Sequence, residues 1–292
     1  MVQKKKMKSS EKIKIYTLVD NTAGYGYQGE WGLSFYIEGF GHKILFDTGM
    51  TSLASENARL AKIDLSSIDV LILSHGHNDH TGGLADFLKY IGEVQVIAHP
   101  DIWTKKYVRE NQNSFEYIGI PACREELESR GARFHLTKKS FKICQSIITT
   151  GEINLNNSYE KIDSDLLAKT TGKFSSDSMM DDLSLIIQTD RGLVVVTGCA
   201  HRGIINTLQH AQKMTGDHRI LNVIGGFHLY KASQERLDWT IQNLKAMGVQ
   251  KVSPCHCTGF NAMVQIYQNM PEHYQPIYAG SIIEIETGIG NG

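Results

Sequence analysis

The chain has 292 residues, 41% of them hydrophobic, and a formal net charge of −1. That length allows one large domain or two small ones, with enough apolar residues for a substantial core. The near-neutral balance supplies no overall basic field for nucleic acid or anionic lipid, and no apolar run approaches membrane-spanning length.

The basic start, with Lys4-Lys5-Lys6 and Lys8, reads as a solvated tail over residues 1–12, without the apolar core of a signal peptide. Ile13 to Val19 alternates and is β-rich, so it reads as a strand. Asp20 to Gly29 is a Gly/Tyr-rich loop. Leu33 to Ile37 and Lys43 to Phe46 form a hairpin across Gly39 and Gly41, and Asp47-Thr48-Gly49 ends its second strand. Leu53 to Ile63 has helical spacing. Val70-Leu71-Ile72-Leu73 is a buried strand that runs into Ser74-His75-Gly76-His77-Asn78-Asp79-His80-Thr81-Gly82-Gly83, and a helical pattern starts at Leu84.

Val94 to Ala98 is a further strand. Residues 101–130 are less regular, with a helix at Arg124 to Ser129. Residues 151–180 are polar and read as a long loop or lid. A second hairpin pairs Leu183 to Ile187 with Leu193 to Val196, and Ile204 to Met214 is helical. Leu221 to Ile224 is a strand ending in Gly225-Gly226-Phe227-His228. Gln234 to Met247 is an amphipathic helix. Lys251-Val252-Ser253-Pro254 leads into Cys255-His256-Cys257-Thr258-Gly259, Asn261 to Asn269 is helical, and Ser281 to Ile285 closes as a strand.

Three imidazoles and a carboxylate fall within the six residues His75 to His80. Neutral imidazole and carboxylate are preferred ligands for zinc and similar divalent ions, so this loop reads as part of a metal site. One loop rarely completes such a site. Other apolar strands also end on ligand-type side chains: Asp47, Cys199 with His201, His228 and His256. Strand ends of a layered α/β chain converge on one edge, which makes these residues candidate partners. Five cysteines, an odd number without small-scaffold spacing, favour reduced thiols in the cytoplasm over a disulfide framework.

The His75 to Gly83 motif, with Phe46-Asp47-Thr48-Gly49 upstream, resembles the metallo-β-lactamase superfamily, and the resemblance extends from about Ile13 to Glu286. It implies an α/β fold, a four-layer αββα sandwich formed by residues 13–292 as one domain, with a variable lid-like stretch at about 101–180. It also implies a dinuclear centre. His75 and His77 would bind the first metal, Asp79 and His80 the second, and His256 would complete the second. Asp47 would orient a ligand histidine through its free ring N–H.

The chain departs from that pattern at two places. Asp181-Asp182 stands where a histidine is usual, and Thr197-Gly198-Cys199-Ala200-His201 stands where a bridging aspartate is usual. His201, Asp182 and Cys199 therefore compete for two roles. His201 is favoured as the third ligand of the first metal, because Cys199 and His201 can face the same way if the chain stays extended. Cys199 would then lie at the metal edge without being the sole bridge. Cys255 and Cys257, flanking His256 on a strand, would point away from it and pack. An iron–sulfur cluster would need about four thiolates and is disfavoured.

Several phrases, among them Glu30-Trp31-Gly32-Leu33-Ser34, Gly225-Gly226-Phe227-His228-Leu229 and His256-Cys257-Thr258-Gly259, are similar to the dihydropteroate-synthase-like branch of the superfamily. Trp31 stands where that branch often has histidine. The resemblance implies a metal-dependent hydrolase or transferase acting on a small phosphorylated or ester-like substrate. Its cofactors would be two divalent metal ions, zinc first, with manganese and iron left open. Asp79 would bind metal and accept a proton, and His228 would touch substrate or stabilise developing negative charge. Two rivals stay open: condensation of a dihydropterin diphosphate with release of diphosphate, and a non-catalytic ligand-binding or redox protein that keeps the metal centre. The expected partner is a small molecule, with no nucleic acid and no membrane; self-association is left open.

Overall fold

The computed structural model describes residues 12–288. Numbering strands and helices in chain order, one sheet runs β16 (Ile282–Glu286), β1 (Lys12–Val19), β2 (Ser34–Gly39), β3 (His42–Phe46), β4 (Val70–Ile72), β5 (Val94–Ala98) and β8 (Ala132–Leu136). A second runs β15 (Lys251–Cys255), β14 (Ile220–Gly226), β13 (Gly192–Thr197), β12 (Ser184–Thr189) and β9 (Ile147–Thr149). Alternation along these strands sends every second side chain to a common core. Ile13, Ile15, Phe35, Ile37, Ile44 and Phe46 of the first sheet meet Leu185, Ile187, Val194 and Val196 of the second.

The outer faces carry the helices. Tyr36, Leu45, Leu71 and Val96 pack under α1 (Leu53–Leu60) and α3 (Leu84–Ile91). Ile186, Val195 and Val223 pack under α5 (Ile204–Thr215), α6 (Gln234–Ala246) and α7 (Phe260–Asn269). The order is therefore helix, sheet, sheet, helix, the four-layer αββα sandwich expected. Two short helices complete the set: α2 (Asn78–Thr81), inside the histidine-rich loop, and α4 (Arg124–Ser129). Among the described residues no helix is long and apolar enough to cross a membrane.

The region read as a long loop is more ordered than its polarity suggested. It contributes β10 (Leu166–Thr170) and β11 (Lys173–Ser176), which join β6 (Lys105–Arg109) and β7 (Phe115–Tyr117) in a four-stranded sheet. Its pairings are remote in sequence: Leu166 lies opposite Val108, and Val108 opposite Glu116. Local periodicity cannot show such contacts. Lys12 also belongs to β1 rather than to the expected basic tail, whose residues 1–11 lie outside the described residues.

Strand direction creates the site. β13, β14 and β15 are mutually parallel, and so are β3, β4 and β5. Parallel neighbours bring their carboxyl ends to the same edge. The residues that follow these strands, Asp47, Ser74 to His80, Cys199, His228 and His256, thus collect along one rim of the sandwich.

Candidate metal centre

The histidine-rich loop is held by tight backbone packing. Thr48 N donates to His80 O at 2.8 Å, Gly83 N to Gly49 O at 3.2 Å, and Leu33 N to Asp79 O at 3.1 Å. A Cβ on Gly82 would collide with Met50 O, and one on Gly83 with Thr48 O, so only glycine lets the loop lie this close to its neighbour. Asp47, Ala200, His228 and His256 all have positive φ, between 49° and 59°. Such strained backbone costs about 1–3 kcal/mol per residue and clusters at functional sites.

Two groups of donors face each other across the rim. In the first, His75 Nε2 is 3.0 Å from His77 Nδ1 and 3.3 Å from His201 Nε2. In the second, His80 Nε2 is 3.3 Å from His256 Nε2, 3.1 Å from Cys199 Sγ and 3.9 Å from Asp79 Oδ2, while His256 Nε2 is 3.3 Å from Asp79 Oδ2. All of these side chains are buried.

Hydrogen bonds behind the rings fix which nitrogen carries a proton. Asp47 Oδ2 lies 2.7 Å from His80 Nδ1 and accepts from Ser74 Oγ at 2.7 Å; Ser74 Oγ lies 2.8 Å from His75 Nδ1. Since the serine hydroxyl donates to Asp47, it accepts from His75 Nδ1. Asn21 Oδ1 lies 2.9 Å from His256 Nδ1, and Asp20 Oδ1 accepts from His256 N at 2.8 Å. In each case the back nitrogen carries a proton and Nε2 is the atom turned to the rim, free to bind a cation. Ring nitrogens of His75, His77 and His201, and of His80 and His256, thus lie 3.0–3.3 Å apart, close enough to share a cation. His77 Nε2 and His201 Nδ1 have no hydrogen-bond partner.

Burial, then the neighbouring rings, hold His75 and His201 neutral well below the ordinary histidine range. Burial and Lys106 push His77 down to about 3. Burial opposes charge on Asp79, but His80 and His256 outweigh it and keep the carboxylate ionised. Burial opposes charge on His80 too, yet Asp79 and Asp47 raise it to about 9, so a cation binding at Nε2 would displace a proton from that nitrogen. Three neutral imidazoles, those of His75, His77 and His201, beside the ionised Asp79 form a donor set suited to divalent metal ions.

Of the competing residues, His201 joins the first group and Cys199 lies at the junction, within 4.8 Å of donors in both. Asp182 stands apart: its Oδ2 accepts from Arg202 N at 2.8 Å, its Oδ1 has no partner, and burial pushes it up to about 7. Asp47 sits behind His75 and His80, as an orienting carboxylate would. Cys255 packs in the core between the sheets. The expectation for Cys257 needs correction. β15 ends at Cys255, and the tight 3₁₀ turn His256–Thr258 swings Cys257 into the cavity wall instead of away from it.

Four supporting residues went unread in the sequence: Asp20 and Asn21 behind His256, Ser74 between Asp47 and His75, and Asp163, whose Oδ2 lies 3.1 Å from His228 Nε2. Asp20 and Asn21 carried a usable signal, since they follow β1 as Asp47 follows β3. Asp163 carried none. A cavity of about 240 Å³ opens over the rim, with Trp31, Met50, Val108, Ile118, Leu166 and Tyr230 as its apolar walls.

The family model of the metallo-beta-lactamase superfamily matches residues 32–140. The chain is 36% identical over 288 residues to the 7,8-dihydropterin-6-methyl-4-(beta-D-ribofuranosyl)-aminobenzene-5'-phosphate synthase of Methanocaldococcus jannaschii, covering 94% of this chain and 97% of that protein. It is 34% identical to an uncharacterised protein of the same archaeon, over 87% of this chain and 94% of the other. Among solved structures it resembles a metal-dependent hydrolase of the beta-lactamase superfamily, with a TM-score of 0.81, 30% identity, and coverage of 94% and 99% of the two chains.

Proposed function

The chain belongs to the metallo-β-lactamase superfamily, and we propose that it is a hydrolase or transferase that acts on a small phosphorylated or ester-like substrate through a dinuclear metal centre. The observation that carries this reading is the convergence of buried lone-pair donors in two adjoining groups. His75, His77 and His201 would hold one ion; Asp79, His80 and His256 would hold the other, with Cys199 between them. Divalent ions held there supply the acidity that makes water a nucleophile at neutral pH and polarise a phosphoryl or carbonyl oxygen.

The chain's own groups do the rest. Asp47 and Ser74 keep His75 and His80 in the tautomer that offers Nε2. The apolar walls exclude bulk water from the reacting group and strengthen every charge interaction inside. Asp79, ionised and at the rim, can take a proton from an attacking group. Burial disfavours charge on His228, but Asp163 and then Cys257 outweigh it and raise the ring to about 9. A protonated His228 at the cavity wall is placed to donate to negative charge that develops on the substrate.

A condensation releasing diphosphate is the second reading, favoured by the likeness to the archaeal synthase over nearly its full length. Product analysis with the metal-loaded protein and a dihydropterin diphosphate separates the two. Diphosphate released by water alone supports hydrolysis; diphosphate released only with an aromatic amine acceptor supports transfer. No release under either condition, from that substrate or from a panel of phosphoesters and carboxylic esters, would sink the catalytic reading.

A further inference from the structure

We propose that Cys199, His228 and Cys257 form an additional cation site beside the dinuclear centre, one that takes a thiophilic divalent ion such as zinc, cobalt or cadmium. The proposal deepens the reading above and rests on it, since Cys199 and His228 serve both.

Both cysteine Sγ atoms and a ring nitrogen of His228 lie within 4.8 Å of one another. Cys199, His228 and Cys257 are 3%, 7% and 2% exposed, and all three line the cavity. His228 Nε2 is taken by Asp163 Oδ2 at 3.1 Å, whereas Nδ1 is buried and makes no hydrogen bond. A carboxylate behind one ring nitrogen fixes the tautomer and raises the basicity of the other, as it does for metal-binding histidines. Cys199 Sγ lies 3.1 Å from His80 Nε2, which leaves its other side turned to Cys257 and His228. Cys257 Sγ makes a long contact to Cys199 O at 3.6 Å and interacts with the Cys199 thiol and the His228 ring, the two groups with which it would share a cation. A Cβ on Gly226 would lie 2.6 Å from Cys257 Sγ, so the glycine leaves the sulfur its room.

Two thiolates and an imidazole select soft or borderline ions over magnesium or calcium. Three protein ligands would leave a fourth position open to water or substrate. Cys199 also belongs to both groups of the main centre, so its thiolate would bridge the added ion to its neighbours. Binding releases the thiol protons and any proton on His228 Nδ1. A cation and a proton cannot both occupy that nitrogen. Loading this site therefore withdraws His228 from substrate, and excess zinc is expected to inhibit.

Titration of the reduced, metal-free full chain with cobalt(II) tests the site, read by cobalt bound per chain and by thiolate-to-cobalt charge transfer. Wild type should bind about one more cobalt than Cys257→Ser, and the variant should lose roughly half of the charge-transfer intensity. His228→Ala should also bind about one less. A second readout on wild type removes any dependence on variant folding: cobalt should protect Cys257 from alkylation, mapped by mass spectrometry, only after the main centre has filled. Equal stoichiometry and an unchanged spectrum in Cys257→Ser, or alkylation of Cys257 at the same rate with cobalt in excess, would overturn this site alone. Failure of the wild type to bind any cobalt would overturn both it and the dinuclear reading.

Discussion

At the scale of residues, the centre depends on where protons sit. Asp47 takes hydrogen bonds from Ser74 N and Oγ, each at 2.7 Å, and lies at the same distance from His80 Nδ1, so one carboxylate governs two ligand rings. The first motif was legible because its imidazoles are adjacent in sequence and their spacing alone implies chemistry. His201 was harder: the reading assumed an extended chain after Gly198, whereas Ala200 has φ 52° and it is this turn that brings His201 Nε2 within 3.3 Å of His75 Nε2. Cys257 was illegible because a strand pattern gives no warning of the 3₁₀ turn that redirects it. Asp163 sets a testable property of His228. The folded His228 is raised to about 9, so its pairing with Asp163 is fully present below the unfolded value near 6.5 and is lost as pH rises through about 9. Asp163 is held below the usual carboxylate range: burial works against this, but His228 prevails. Its contribution is therefore lost as pH falls through that lowered value. Asp163→Asn should lower the His228 pKa by about one unit or more, equivalent to about 1.4 kcal/mol per unit, in an NMR titration of the metal-free protein. An unchanged titration would mean that the ion pair does not set the charge on His228.

At the scale of elements, the small sheet and the histidine-rich loop are joined by one buried cation. Lys106 on β6 is 1% exposed and lies 2.8 Å from Asp177 and 2.9 Å from Asp181. Asp181 also accepts from Gly76 N, between the two leading histidines, at 2.8 Å. The chain runs Lys106, Asp181, Gly76, and it ties the cavity wall to the ligand loop. Lys106→Met would leave two buried carboxylates without their cation, a change that costs about 3–5 kcal/mol when a buried pair is broken. Urea unfolding of the metal-free protein should show that loss; a change under about 1 kcal/mol would show the carboxylates to be satisfied by other means. None of this was readable from the sequence. The long strands announced themselves by alternation and by sharp ends. The small sheet did not, because its strands are short, partly polar and paired across some sixty residues.

At the scale of the whole molecule, two packed sheets with parallel segments deliver the ends of β3, β4, β13, β14 and β15 to one rim, and the site residues follow those five ends. The likeness to the archaeal synthase and to the solved hydrolase spans nearly the full chain, in keeping with a fold that positions the site as a unit. The αββα order was legible from the motif's resemblance and from strand periodicity together. The substrate was not, because the cavity walls are assembled from loops and small-sheet residues that carry no shared spacing. The central claim is that His75, His77 and His201 hold one divalent ion while Asp79, His80 and His256 hold another. Elemental analysis of the folded chain, purified without oxygen and freed of loosely held ions, tests it most directly when run beside His201→Ala and Asp182→Ala. The expected result is about two zinc or manganese ions per chain in wild type and in Asp182→Ala, and about one in His201→Ala. Two ions retained in His201→Ala, or one lost in Asp182→Ala instead, would contradict it.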